Sequence, residues 1–196
     1  MDKLPWKPFI NAVGNDLLPV VVDPKIEPRV GSSLRKESLG KVPSIVVNGG
    51  AAGVRGWSTK VATLEELKTW SNDPRLGFGM RCNKIKAITI DAATSLGQVT
   101  QRDRILKVLG STPSIAVSSE NDPTKGVILF VSKQLFPHRS TDTPYAEIEY
   151  LTSNNFLVLA GGKHDFKWSS HLEGDLMEML KSKKRVTTTQ LNRIFD

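Results

Sequence analysis

Three short segments of the sequence place polar side chains where chemistry could occur. The first is a mainly apolar run at residues 87–90 that leads directly into Asp91. A strand that ends in an aspartate presents a carboxylate at its end, and Mg²⁺ is commonly held by one or two carboxylates together with substrate phosphates. The alternative is that Asp91 caps the loop or helix that follows. This segment alone predicts either a metal ligand or a cap.

The second segment, residues 145–151, contains two glutamates separated by one residue. Because side chains alternate along a strand, Glu147 and Glu149 share one face and Ile148 lies on the other. Two like charges on one face repel each other unless solvent, a cation or basic side chains separate them. This face is therefore either a solvated edge of a sheet or a binding surface.

The third segment, residues 118–130, contains Ser118 and Ser119, then a turn, then Lys125 at the start of an apolar run. Hydroxyl groups beside an ammonium group can hold phosphate oxygens by hydrogen bonds and charge. A serine-rich hairpin without any ligand is the ordinary alternative. The segment is compatible with both interpretations.

The elements that would position these segments follow from periodicity and from breakers. Strands are predicted where apolar runs are bounded by Pro, Gly, Asn or Asp, at residues 17–22, 45–47, 76–80, 87–91, 114–118, 126–131, 147–151 and 155–160. Helices are predicted at residues 63–70, 96–109 and 172–180. Thr63 and Glu66 have capping-box spacing, and Gly110 ends the second helix. The pattern predicts an α+β fold whose later half is mainly antiparallel.

Composition and length define the class of protein. The chain has 196 residues, of which 39% are hydrophobic, and one cysteine, Cys82. We expect one globular domain, or one plus a short tail, with no internal disulfide and no cysteine-based zinc site. No apolar run approaches the roughly 20 residues of a membrane span, and the first residues do not form a secretion signal. We therefore expect a soluble cytoplasmic protein.

The formal net charge of +7 favours polyanionic partners. The basic residues fall into two groups, one in the loop-rich first third of the chain and one towards its end. The groups comprise Arg29, Arg35, Lys36, Lys41 and Arg55, and Lys163, Lys167 and residues 181–185. Trp57, Phe166 and Trp168 are available to stack bases. A single-stranded template could follow either group.

A strand-end aspartate, a serine turn, a glutamate-bearing strand and Gly-Gly-Lys-His at residues 161–164 follow one another along the chain. This series resembles the catalytic domain of archaeo-eukaryotic-type primases, and more closely the primase-polymerases of phages and plasmids. The resemblance covers residues 17–171. It implies an RRM-like catalytic core with a mixed or antiparallel sheet, flanking helices and an N-terminal α/β subdomain. We expect this catalytic domain at residues 1–171, and a C-terminal helix with a basic tail at 172–196.

The resemblance implies two-metal nucleotidyl transfer from NTPs or dNTPs on a single-stranded or primed DNA template, with Mg²⁺ or Mn²⁺ as cofactor. It assigns Asp91 and Glu149 as metal ligands and Glu147 as a weaker third ligand. The family carries another acidic residue two positions after the first, where this chain has Ala93. We expect this alanine to impair metal binding and catalysis. The chain is then either a divergent natural member or a variant of a parent with aspartate at position 93.

The resemblance also implies contacts to the nucleotide triphosphate. A histidine that the family carries in the serine motif is absent here, and His138 or Lys125 is the candidate to replace it. Arg81 is either a nucleotide contact or a solvated turn residue. The candidate triphosphate contacts are Ser118, Ser119, Lys125, His138, Arg81 and Lys41.

Two other functions are compatible with the sequence. One is a non-catalytic DNA-binding replication module in which Ala93 is native. The other is a metal-dependent DNA-nicking initiator, which normally needs a nucleophilic tyrosine or a histidine pair. Neither Tyr145 nor Tyr150 has such a partner nearby in sequence. We expect a monomer that acts on DNA, with a helicase domain or protein as a further partner and no membrane association, in the cytoplasm of a host bacterium if the gene is phage-borne.

Overall fold

A computed structural model describes residues 5–132, 136–162 and 165–196, and the protein is α+β with antiparallel sheets. The helices in these ranges are α1 (Trp6–Val13), α2 (Leu64–Asn72), α3 (Ser95–Leu109), α4 (Leu172–Lys181) and α5 (Thr188–Phe195). The strands are β1 (Leu17–Val21), β2 (Ser44–Val47), β3 (Gly50–Gly53), β4 (Leu76–Arg81), β5 (Lys86–Ala92), β6 (Ser114–Ser118), β7 (Lys125–Phe130), β8 (Arg139–Asp142), β9 (Ala146–Leu151) and β10 (Phe156–Ala160). The chain divides into two compact units, which are described separately below.

The first unit consists of Met1–Arg81 and Asn155–Asp165 and contains a three-stranded antiparallel sheet in the order β1-β4-β10. The central strand, β4, is buried along its whole length. A Cβ atom on Gly79 would lie 2.4 Å from the carbonyl oxygen of Leu157 on β10. The close approach of β10 to β4 therefore requires glycine at this position.

Helix α1 packs its aromatic side chains on this sheet. The ring centroids of Trp6 and Phe9 lie 4.6 and 5.5 Å from that of Phe78 on β4. Helix α2 begins with the predicted capping box, because the Thr63 side chain accepts from the Glu66 N–H and the Glu66 side chain accepts from the Thr63 N–H. The capping-box prediction is confirmed.

The second unit consists of Cys82–Asn154 and Phe166–Asp196 and contains a five-stranded antiparallel sheet in the order β6-β7-β5-β9-β8. Its first strand, β5, lies at the centre between β7 and β9. The predicted antiparallel arrangement of the later half of the chain is confirmed. The boundary predicted after residue 171 falls inside this unit.

One face of this sheet forms a hydrophobic core with α3 and α5. The sheet contributes Ile88, Ile90, Ile128, Ile148 and Tyr150, and the helices contribute Ile105, Leu109, Leu191, Ile194 and Phe195. Helix α3 is capped at its start by the Thr94 hydroxyl, which accepts from the Gly97 N–H, and it ends at Gly110, whose φ is +58°. On the other face Val127, Leu129 and Leu151 are also buried, so only its exposed positions near the end of β5 are available for a site.

Tyr150 gives the second unit an expected dependence on alkaline pH. The side chain is fully buried, its ring packs against Phe130 and Phe136, and burial raises the pKa of the phenol to about 12. The unfolded chain ionises this group near pH 10, so its contribution to stability is complete below pH 10 and is lost as the pH rises to about 12.

We expect the free energy of unfolding to fall by roughly 2 kcal/mol between these pH values because of this group alone. Denaturant titrations between pH 9 and 12 measure this fall, and the Tyr150→Phe protein, which keeps the ring, should show a correspondingly smaller one. Parallel pH profiles for the two proteins would contradict the assignment.

Among the described residues, none of the helices combines the length and the apolar character needed to cross a bilayer.

Candidate active site

The register of the five-stranded sheet brings the predicted acidic residues onto one face. Asp91 on β5 is paired with Glu147 on β9, and two residues earlier Thr89 is paired with Glu149. Paired residues in an antiparallel sheet share a face, and side chains two apart on one strand share it as well. Asp91, Glu147 and Glu149 therefore lie on the face opposite the hydrophobic core.

Two basic side chains lie on this acidic face. Lys125, on β7, is paired with Asp91 and forms an ion pair with its carboxylate through Nζ. His138 lies with its Nε2 atom 2.7 Å from Oε1 of Glu149. These contacts reduce the mutual repulsion of the carboxylates, which is the condition for placing several of them on one face.

The acidic residues remain accessible, with 56% of the Asp91 side chain and 40% of the Glu149 side chain exposed. Carboxylate oxygens are the donors that Mg²⁺ and Mn²⁺ prefer, so the chemistry of this face suits a hard cation. In the described part of the chain, however, no three His, Cys, Asp or Glu side chains are arranged as a metal-binding group. The face therefore offers suitable donors, but Asp91 and Glu149 each face a basic side chain.

Ala93 lies immediately after the end of β5 and is exposed. The next residue, Thr94, is the N-cap of α3, so the backbone at position 93 is held between a strand and a capped helix. Asp91 itself is not the cap, which removes the alternative interpretation of that residue. A longer side chain at position 93 would have room towards solvent.

The two serines of the predicted phosphate motif have different surroundings. The Ser118 hydroxyl donates to Oε1 of Gln98 on α3 at 3.2 Å, on the side of the sheet opposite Lys125. Ser119 is buried and its hydroxyl accepts from the Asp122 N–H at 3.2 Å, within the turn that joins β6 to β7. Both hydroxyls therefore take part in hydrogen bonds that stabilise the hairpin.

Aromatic residues lie beside this serine turn. The Lys167 N–H donates to the Ser118 carbonyl at 3.1 Å, and Phe166 forms an isolated bridge with Ser119. The rings of Phe166 and Trp168 are partly exposed and lie 6.0 Å apart. This segment places surfaces that could stack a base next to the predicted phosphate motif. Lys163 and His164 of the same sequence motif lie outside the described residues.

Arg81 and Lys41 belong to the first unit and differ in their surroundings. Arg81 is buried; its guanidinium donates to Oδ1 of Asp16 at 2.9 Å and to the carbonyl of Ser58 at 3.0 Å. Arg81 therefore links β4 to the turn after α1 and to the loop before α2 within the unit, rather than facing solvent at a turn. Lys41 is exposed.

Asp142 is a residue of the acidic face that the sequence did not indicate. It lies on the edge strand β8, paired with Glu147, and is exposed. The signal in the sequence is weak, because β8 is a polar four-residue strand without an apolar alternation. Four paired residues on neighbouring strands therefore form a line across the sheet: Lys125, Asp91, Glu147 and Asp142.

No protein family matches the chain, and no curated protein matches it significantly.

Proposed function

We propose that the chain is a primase-polymerase type nucleotidyltransferase that uses NTPs or dNTPs, Mg²⁺ or Mn²⁺, and a single-stranded or primed DNA template. The observation that carries the proposal is the register that sets Asp91, Glu147 and Glu149 on one accessible face. Lys125 and His138 offset part of the repulsion among these carboxylates, and a bound cation would neutralise more of it.

The sheet topology supports the same proposal. The first strand of the second unit, β5, is followed by α3 and lies between β7 and β9, with α3 and α5 packed on one face. This layout is compatible with an RRM-like core whose site lies on the face opposite these two helices. The aromatic pair Phe166 and Trp168 beside the serine turn supports a partner that has bases to stack.

In this proposal Asp91 and Glu149 hold a divalent cation, and Glu147, which is paired directly with Asp91, is a weaker third ligand. Such a cation would lower the pKa of the attacking hydroxyl and neutralise charge on the phosphates. Lys125 exchanges its contact with Asp91 for a phosphate oxygen of the nucleotide, because its ammonium group can reach the same place on the face. His138 holds Glu149 in position.

Metal binding tests this proposal without relying on activity. Electron paramagnetic resonance can follow Mn²⁺ titrated into the protein with dATP present. We expect the Ala93→Asp protein to bind Mn²⁺ at least about tenfold more tightly than the unaltered chain, because loss of even an outer-shell partner costs 10–100-fold in metal affinity. Adding Asp91→Asn or Glu149→Gln to that protein should reverse the gain.

The matched control is Glu178→Gln, which makes the same charge change at an exposed position on α4, away from the sheet. It should leave Mn²⁺ binding unchanged. Equal Mn²⁺ affinity in all these proteins would show that the acidic face does not hold the metal, and the proposal would fail.

A second candidate function is a DNA-binding replication module without catalysis. The specific observation in its favour is that Asp91 and Glu149 are each engaged by a basic side chain while position 93 holds alanine. Mn²⁺ binding that is weak and insensitive to Ala93→Asp, in a protein that still binds single-stranded DNA, would favour this module over the transferase.

A further inference from the structure

The first unit contains an open groove of about 850 Å³ between the loop at residues 29–35 and the β2–β3 hairpin. Three arginines line it, Arg29 and Arg35 from the loop and Arg55 from the segment after β3, together with serines and Trp57. None of the described residues that line the groove is acidic. The groove is therefore a concave surface of uniform positive charge.

The charge of the three arginines is not compensated within the protein. All three are exposed, and among the described residues none of their guanidinium groups forms an ion pair. Glu27 and Glu37 are the acidic residues nearest the loop in sequence. Glu27 is bound by Lys36 at 2.5 Å, and Glu37 is exposed and is not part of the groove lining. Grouped positive charges attract anions, so a phosphate in the groove would be attracted by all three arginines.

The wall that carries Arg29 is fixed before any ligand binds. The Arg29 N–H donates to the Ala51 carbonyl at 2.8 Å, and the Ala51 N–H donates to the Glu27 carbonyl at 2.8 Å. The Ser32 N–H donates to the Arg29 carbonyl at 2.9 Å and continues the turn. These bonds attach the start of the loop to β3, so less ordering is needed on binding.

The chemistry of the lining identifies the class of ligand. Guanidinium groups bind phosphate in a bidentate manner, and serine hydroxyls add hydrogen bonds to phosphate oxygens. Trp57 is partly exposed in the same groove and offers an indole face to a base. In a duplex the bases are already stacked and paired, so the combination of arginines and an accessible indole favours a single strand.

We propose that this groove binds single-stranded nucleic acid, with Arg29, Arg35 and Arg55 at backbone phosphates and Trp57 beneath a base. The inference assigns a binding surface to the single strand of the proposed function, but it requires binding only and involves no residue of the acidic face. Failure of the proposed metal site would not contradict this proposal, and failure of this proposal would not contradict the metal site.

Fluorescence anisotropy of a labelled oligothymidylate, with EDTA present, tests the proposal. Each phosphate contact contributes about −0.7 to the slope of log K against log salt for a single strand. Replacing all three arginines by glutamine should therefore make the slope shallower by about 2 and weaken binding by about 100-fold at 0.1 M salt. The control is Lys68→Gln, which removes one exposed charge from α2 of the same unit and should weaken binding far less.

A second variant tests the proposal independently of the triple substitution, which could lower the stability of the fold. A Cβ atom on Gly53, which lines the groove, would meet nothing within 4 Å. Gly53→Glu should therefore fold normally and weaken binding at least tenfold more than Gly53→Gln, because it places a negative charge among the three arginines.

The same anisotropy measurement distinguishes a single-strand site from the metal site, from a small-anion site and from a duplex site. Because EDTA removes divalent cations, binding in this assay is independent of the proposed metal site. Unchanged affinity in the triple variant would overturn the proposal. Displacement of the oligonucleotide by millimolar triphosphate at constant ionic strength would indicate a site for small anions. Equal affinity for a duplex of the same length would show that Trp57 does not stack on a base. Either result would also overturn the proposal.

Discussion

The Ala93→Asp protein should extend a DNA primer at least about 100-fold faster than the unaltered chain, the size of effect that a single stabilising group has in a preorganised site. Position 93 is exposed, lies two residues after Asp91, and is held between the end of β5 and the capped start of α3. In the proposed site, a carboxylate two residues after Asp91 would add to the negative charge of Asp91, Glu147 and Glu149. We therefore expect a gain in catalysis without a change of fold.

The control for this gain is Ala93→Asn, which has nearly the same size and shape as the aspartate but no charge. It should leave the rate of extension within a few-fold of the unaltered chain, because an amide does not neutralise a dication. A gel-based assay of primer extension in Mg²⁺ or Mn²⁺ measures all three proteins. Equal rates for Ala93→Asp and Ala93→Asn would show that charge at position 93 is irrelevant to the reaction.

The second large effect concerns stability. Gly79→Ala should lower the free energy of unfolding of the first unit by about 3 kcal/mol, at the upper end of the cost of overpacking. The added Cβ would lie 2.4 Å from the Leu157 carbonyl oxygen and 2.4 Å from Cζ of Phe156. The Phe156 ring can rotate, but the carbonyl belongs to β10, so the strand itself must move away from β4.

Gly53→Ala is the matched control, because Gly53 is also a strand glycine of the first unit and a Cβ there meets nothing within 4 Å. Its effect should be within about 0.5 kcal/mol. Chemical denaturation of both variants, followed by tryptophan fluorescence, measures the difference. If Gly79→Ala costs no more than Gly53→Ala, the described pairing of β10 with β4 is wrong.

Much of the secondary structure could be predicted because local signals were strong. The capping box at Thr63 and Glu66 and the stop at Gly110 involve residues close in sequence, so the physical cause is visible in the sequence itself. Strand β5 is equally clear because it is a buried central strand with a nearly continuous apolar run. Such elements require no knowledge of the partners that they pack against.

Helix α1 and strand β3 were not predicted, for identifiable reasons. Proline is typical of helix breaks, but Pro8 lies in the first turn of α1, where its missing N–H would have no partner anyway. Strand β3 consists of glycine and alanine, which are weak strand formers. The sequence indicates β3 only through the turn that precedes it. Asn48 and Gly49 both have positive φ, as the two-residue turn of a type I′ hairpin requires.

The acidic face could be predicted only in part. That Glu147 and Glu149 share a face follows from alternation along one strand, whereas the pairing of Asp91 with Glu147 depends on strands that are distant in sequence. The contacts of Lys125 with Asp91 and of His138 with Glu149 depend on the same long-range register. Arg81 was predicted as a nucleotide contact or a solvated turn residue, but its partner Asp16 is 65 residues away, and the pair is buried.

Single-nucleotide extension tests the central claim most directly, because it asks whether transfer is directed by a template. A labelled primer is annealed to a template whose next base is thymine and incubated with Mg²⁺, the Ala93→Asp protein and one dNTP at a time. We predict addition of one nucleotide from dATP, background levels from the other three, and loss of the product when Asp91→Asn is introduced. Equal addition of all four nucleotides, or no addition by a folded protein that binds the primed template, would contradict the assignment as a primase-polymerase.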